Sequence, residues 1–209
     1  IDSWIRLTRV LTHEIMNAVT PITSLSDTLL GLTEAQVSKE EIRNGLQTIS
    51  STGKGLLSFV ESYRKFTRIP TPEPSLFYVK SFIERMVELA RHQHPDVRVT
   101  FHTDIAPSDL ILYADENLVS QVVINLLKNA IQAIESDKNT DKEGHINIRA
   151  YCNEAEAILI EISNNGPAIP NDIAEHIFIP FFTTKEGGSG IGLSISRQIM
   201  RLSGGNLSL

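Results

Sequence analysis

"NLLKNAIQAI", residues 125–134, decides the fold class of the longer half of the chain. It sits inside "DENLVSQVVINLLKNAIQAIES" (115–136), whose apolar residues recur at helical steps behind Asp115, a residue suited to capping a helix start. Two asparagines interrupt the apolar pattern. Positions four apart share a helix face, so Asn125 and Asn129 project side by side from a surface otherwise patterned for burial. Buried amides need partners. Two readings are open from the residues alone. The pair caps neighbouring loops, or it binds polyphosphate and a hydrated Mg²⁺, a cation that takes oxygen ligands and keeps several waters.

Outward from this helix, "VKSFIERMVELARHQH" (79–94) reads as a second helix and "VRVTFHTDI" (97–105) as an alternating strand. "GHINIRAYC" (144–152) and "AILIEIS" (157–163) read as the two strands of a hairpin, and a last helix occupies roughly residues 191–202. Helices segregated against a mostly antiparallel sheet predict an α+β sandwich. Cys152 falls in the apolar–polar alternation, which predicts a packed strand thiol rather than a nucleophile. No internal repeat is present.

The first third has a different pattern. Trp4, Leu7, Leu11, Ile15, Ala18, Ile22, Leu25 and Leu29 recur at steps of three and four, as do Ile42, Leu46, Ile49, Leu56, Phe59, Tyr63 and Phe66. These are two helices, each with one narrow seam. "GLTEAQVSKEE" (31–41) joins them, with Gly31 as a stop and Ser38 with Glu41 as a capping box. A hairpin with such stripes cannot cover them alone, so a homodimer forming a four-helix bundle is expected. "RIPTPEPSLF" (68–77) holds three prolines in ten residues and reads as a linker. The expected domains are therefore 1–69 and 70–209. The chain opens in mid-helix and stops at "GGNLSL" as a strand begins, which reads as a fragment of a longer protein.

Composition narrows the function. The 209 residues are 41% hydrophobic and 21% charged, enough for an ordinary core. A net charge of −6 argues against nucleic-acid binding and against contact with anionic membranes, since both need a concentrated basic surface. No apolar run reaches the ~18–20 residues needed to span a bilayer. A single cysteine suits the cytoplasm.

Three further stretches carry chemistry. "ISNNGPAIP" (162–170) leaves a strand and turns through Asn, Gly and Pro, where glycine permits backbone approach to a flat ligand. "FFTTKEGGSGIGLSISRQIM" (181–200) is a glycine-rich loop opening into a helix. Its free amides and the helix dipole favour an anion, and Lys185 adds a point charge. It lacks the Gly-Lys-Ser/Thr order of a Walker loop and the parallel βαβ setting of a dinucleotide fingerprint. Finally, "LTHEIMNAVTPI" (11–22) opens like a zinc-protease helix, but that motif needs a second histidine four residues after His13, where Asn17 stands. The metal reading fails there. His13 lies about 200° around the helix from Leu11, off the apolar seam and facing solvent.

In this order the motifs resemble those of the histidine kinases of two-component systems, within the superfamily that includes gyrase, the Hsp90 chaperones and MutL. "NLLKNAIQAI" is similar to the asparagine box, "SNNGPAIP" to the first glycine box, "FIPFFTTK" to the phenylalanine box and "GSGIGLS" to the second glycine box. "LTHEIMNAVTPI" resembles the phosphoacceptor box, and "TTKEGGSGIGLSISRQIM" resembles the nitrogen-regulation sensor subgroup. The resemblance implies an ATP-dependent kinase in which His13 attacks the γ-phosphate and Glu14 holds the proton on the other ring nitrogen. Asn17 would orient water for dephosphorylating a response regulator, whose receiver domain would dock on the hairpin and accept the phosphoryl group on an aspartate.

The resemblance also implies the nucleotide contacts. Asn125, Asn129 and Gln132 would line the site, with Asn129 the Mg²⁺ ligand; Asn164, Gly166 and Ala168 would meet the base. Thr183, Thr184 and Lys185 would lie near the phosphates, which Gly188, Gly190, Ile191, Gly192 and Leu193 would cradle. Two positions depart from the family pattern. Asn164 stands where an Asp usually accepts the adenine amino group, and a neutral acceptor is weaker by roughly a factor of two. Ala168 replaces a common Gly. Both imply altered nucleotide affinity, and the loop from Lys185 to Gly188 implies a small lid. The alternative is a nucleotide-binding dimerisation module with weak or no kinase activity.

Overall fold

The computed structural model describes residues 2–31, 38–137, 143–185 and 188–209. The chain divides into two compact units, residues 1–69 with 180–191, and residues 70–179 with 192–209.

The first unit is built on a helical hairpin, α1 (Asp2–Gly31) and α2 (Lys39–Thr67). The expected capping box is formed. Ser38 Oγ accepts the Glu41 amide at 3.2 Å while the Glu41 carboxylate accepts the Ser38 amide at 2.8 Å. These bonds hold the Glu41 carboxyl below the usual carboxylate range, the Ser38 amide foremost and its hydroxyl second. Along α1 the seam residues Leu11, Ile15, Ala18, Ile22, Leu25 and Leu29 are half-buried. The side chains of Trp4 and Leu7, and the connecting residues 32–37, lie outside the described residues. Gly45 lets α2 approach α1 closely, because a Cβ there would lie 3.2 Å from the Leu29 side chain. Pro21 sits inside α1 and offers no amide to the carbonyl of Asn17, four residues earlier. Met16, Val19, Leu30, Ile42, Leu46, Leu57 and Val60 remain exposed on the hairpin.

In the same unit the segment 180–191 packs Phe181 on Phe59 of α2, with ring centroids 5.0 Å apart and a 39° tilt. Aromatic rings favour such tilted contacts over flat stacking.

The second unit contains a three-stranded sheet of β2 (Val99–Ala106), β4 (Gly144–Cys152) and β5 (Ile158–Asn164), in the order β2-β4-β5. β4 pairs antiparallel with β5 but parallel with β2. Two short strands, β1 (Ser75–Tyr78) and β3 (Ile111–Ala114), form a separate antiparallel pair. The helices are α3 (Val79–Gln93), α4 (Glu116–Glu135), the single turn α5 (Asn171–Ala174) and α6 (Gly192–Leu202). Ile146, Ile148 and Ala150 of β4 face the helices and are buried, whereas Asn147 and Arg149 on the other face are exposed. Phe82, Ile83, Leu127, Ile146 and Ile148 are fully enclosed between sheet and helices. Each such side chain contributes about 1.5–3 kcal/mol. α4 packs against α3, α6, β4 and β5, so it is the pillar of this core.

Three expectations need correction. The proline-rich stretch 68–77 is not linker throughout, because Ser75–Phe77 belong to β1 and Phe77 is buried. The strands also include β3, paired with β1, although two of the three pairings are antiparallel as expected. Cys152 is exposed rather than packed. Its parity matches the buried Ala150, but it is the last residue of β4 and stands beyond the core.

Candidate functional site

Asp115 fixes the start of α4. One carboxylate oxygen accepts the Leu118 amide at 3.0 Å, and the other accepts the amide of Glu73 at 2.9 Å. The first bond satisfies an amide left free at the helix start, and the second ties α4 to the segment before β1. Both favour the ionised form, Glu73 more than Leu118, and hold the Asp115 carboxyl below the usual aspartate range.

From that anchored end α4 presents Asn125, Asn129 and Gln132 along one half-buried face. Asn125 Nδ2 donates to Ser196 Oγ of α6 at 3.0 Å, and Ser196 is 2% exposed. The partner is a helix residue rather than a loop residue, so the Asn125 amide clamps α6 to α4. Gly192, the first residue of α6, is required by the same contact. A Cβ there would lie 3.1 Å from Asn125 Cγ and nearer still to its Oδ1. The N-terminus of α6 therefore abuts the Asn125 amide, with Leu193 half-buried beside it.

The turn after β5 is knitted to the same helix. Gly166 donates its amide to Asn164 Oδ1 at 3.0 Å, and a side chain on Gly166 would strike the α4 backbone at Ala133 and Ile134. Asn164 already serves its own turn, leaving one lone pair of its oxygen for a ligand. Asn165 stitches the turn to β4, accepting the His145 amide at 2.8 Å and donating to the Glu143 carbonyl at 2.9 Å. Ala168 is exposed. The motif reading did not single out Asp115's second bond, Asn165 or Ser196. Asp115 and Asn165 bond residues 42, 20 and 22 positions away, and Ser196 lies 71 from Asn125, beyond any local periodicity.

The segment 180–191 carries the other glycine motif. Thr183 Oγ1 accepts the Lys185 amide at 3.1 Å, and the Gly188 amide donates to the Lys185 carbonyl at 3.1 Å. Thr184 and Lys185 are exposed, and Ile191 is buried. Gly190 has φ +65, and its carbonyl accepts the Phe181 amide at 2.9 Å. A Cβ on Gly190 would lie 2.8 Å from the carbonyl oxygens of Phe181 and Phe182. Residues 186 and 187, on which the small-lid expectation depends, lie outside the described residues.

His13 projects from α1 with its side chain 69% exposed. Glu14 Oε1 lies 3.4 Å from Nδ1. The Asn17 amide nitrogen is 3.0 Å from Nδ1 and 3.5 Å from Nε2. A donor aligned with one ring lone pair stands far from the other nitrogen, so this amide leans over the ring face.

The donor set of the α4 face consists of neutral amides. Their oxygens suit a magnesium ion that keeps most of its waters and shares a nucleotide's phosphates. Gly192 has no Cβ to collide with the Asn125 amide, so the backbone at the start of α6 lies directly against this face.

Residues 114–209 match the family described as histidine kinase-, DNA gyrase B- and HSP90-like ATPase. Over 211 aligned residues the chain is 31% identical to nitrogen regulation protein NtrY of Azorhizobium caulinodans, covering all of this chain and 27% of that protein. The solved catalytic domain of histidine kinase ThkA is 34% identical, with a TM-score of 0.53, covering 63% of this chain and 82% of that one. Histidine kinase ThkA solved in complex with response regulator protein TrrA is 26% identical, with a TM-score of 0.62, covering 96% of this chain and 55% of that one. The chain spans about a third or less of the length of the first curated relatives it matches. No helix among the described residues is long and apolar enough to cross a membrane. The sequence match to a solved catalytic domain, most of whose length is covered, and the agreement of the motifs with the α4 and α6 geometry place this chain in the family of two-component sensor histidine kinases.

Proposed function

We propose that the chain is the kinase core of a cytoplasmic signalling arm. It would autophosphorylate on His13 from ATP and pass the phosphoryl group to an aspartate of a response-regulator receiver domain. The observation that carries this reading is the His13 imidazole itself, solvent-facing on α1 with a carboxylate beside Nδ1. Glu14 accepting the Nδ1 proton leaves the lone pair of Nε2 for attack. The N–P bond forms as the bond from the γ-phosphorus to ADP breaks, and ADP departs.

Phosphoryl transfer asks mainly for positioning and charge neutralisation. Asn129 would ligate Mg²⁺, which neutralises phosphate charge when bound. Asn125, through its bond to Ser196, keeps the α6 N-terminus in place, and Lys185 with the amides of Gly188, Gly190 and Gly192 would meet the phosphates. Asn164 and Gly166 would receive the base, with Ala168 beside it; Gln132, Thr183, Thr184, Ile191 and Leu193 would complete the contacts. Domains 1–69 and 70–209 then correspond to phosphoacceptor and nucleotide-binding modules.

The exposed apolar residues of the hairpin support a homodimer closing a four-helix bundle. The relative solved with a response regulator supports docking of such a partner. Asn17, over the His13 ring, is the candidate for orienting water in dephosphorylation of that regulator. A second reading, a nucleotide clamp without transfer, is favoured by the Asn164 oxygen being engaged by Gly166.

Incubation with γ-labelled ATP and Mg²⁺ separates the two. Acid-labile, alkali-stable label that disappears in His13→Ala supports the kinase. Nucleotide binding with no label overturns it in favour of the clamp.

A further inference from the structure

The exposed face of the β2-β4-β5 sheet carries a feature outside the kinase reading. His102 of β2 and His145 of β4 face each other, with His102 Nε2 3.4 Å from His145 Nδ1 and ring centroids 5.5 Å apart. In register His145 stands opposite Thr100, and His102 opposite Asn147, so the two imidazoles are diagonal neighbours across a parallel pair. The His145 backbone is fixed by the Asn165 bond.

We infer that this pair is a binding site for a divalent transition metal of the Zn²⁺, Ni²⁺ or Cu²⁺ class. Zinc–imidazole bonds are about 2.0–2.1 Å, and two at a tetrahedral angle set their nitrogens about 3.3–3.4 Å apart. The observed separation of 3.4 Å matches that bite. The ligands stand on paired strands rather than loops, so little ordering is needed on binding. Imidazole nitrogen selects Zn²⁺, Ni²⁺ and Cu²⁺ over Mg²⁺, so millimolar Mg²⁺ supplied with nucleotide does not compete.

Among the described residues no three His, Cys, Asp or Glu side chains converge, and water therefore completes the coordination sphere. Glu143, two residues before His145, has its carboxylate engaged, accepting from Thr100 Oγ1 at 2.8 Å. Asp104, the next outward residue on β2, is paired with Arg149 at 3.5 Å. Bound metal clips β2 to β4 and so stabilises the native sheet.

The test is calorimetric titration of the full chain with Ni²⁺, repeated with Zn²⁺ and in the presence of millimolar Mg²⁺. Expected is saturable binding at one ion per chain in the micromolar range, with a rise in Tm. Supporting groups around a metal are already worth about 10–100-fold in affinity, so His102→Ala and His145→Ala should each weaken binding by at least about tenfold. His176→Ala should leave it unchanged. In the unmutated chain, paramagnetic Cu²⁺ should broaden the amide signals of His102, His145 and Asn147 first. Absence of saturable binding, or binding retained in both single variants, overturns the inference. Neither readout involves ATP or His13, so a failed kinase reading leaves this result interpretable.

Discussion

Gly192→Ala sets two effects of opposite sign against each other at the junction of α6 and α4. Alanine is the better helix former, by up to about 1 kcal/mol in a helix interior and by less at a first position. Against that, the added Cβ overlaps the Asn125 side-chain oxygen and lies 3.1 Å from its Cγ, with α4 on one side and α6 on the other. Forcing one extra carbon into a packed junction costs typically 1–3 kcal/mol. If Asn125 gives way, its bond to the buried Ser196 hydroxyl breaks, and an unsatisfied buried group costs about 1–3 kcal/mol. The steric term wins, and the expected net loss is about 2–4 kcal/mol. Urea unfolding of the variant and the parent measures it directly. The mechanism makes a second demand, because Gly192→Ala and Ser196→Ala damage the same contact. Their combination should therefore cost less than the two single losses taken together, by about 0.5–3 kcal/mol. A variant as stable as the parent, or strictly additive losses, would refute the Asn125 clamp.

Acid should weaken the second unit through Asp115. Its folded-state carboxyl titrates below the unfolded value, so its contribution is complete above the ordinary aspartate range near pH 4 and is lost as pH falls through the lowered folded-state value. An Asp115→Asn variant should show a smaller stability loss across that window in acid titrations followed by circular dichroism, and an unchanged slope would count against the two amide bonds. Ser38→Ala removes the hydroxyl that caps α2 and should lower the stability of the hairpin by about 1 kcal/mol, read by thermal melting. Gly190→Ala places a side chain at φ +65 against two carbonyl oxygens, so nucleotide affinity measured by a fluorescent ATP analogue should fall while the second unit's unfolding stays unchanged.

Local chemistry was legible wherever a residue's partner lay within a turn or two. The Ser38–Glu41 capping box and the Asp115 cap follow from spacing alone, and β4 spans the stretch whose alternation predicts it. Four-residue strands escaped. "SLFY" is hidden behind prolines and "ILYA" is too short for a period to show, so β1 and β3 emerge only from their mutual pairing. The candidate site divides in the same way. Its asparagines and glycines were readable as motifs, but the partnership of Asn125 with Ser196 spans 71 residues. Cys152 shows the limit of parity arguments, which assume that the core continues beneath the end of a strand.

The central claim is that ATP phosphorylates one imidazole of α1. Tandem mass spectrometry at neutral pH, after brief exposure of the purified chain to ATP and Mg²⁺, tests it most directly. The account predicts a phosphoryl group on the peptide containing His13, bound to the ring and absent when Asn129→Ala removes the proposed magnesium ligand. A phosphoryl group on another residue, or none on a chain shown to be nucleotide-bound, would contradict it.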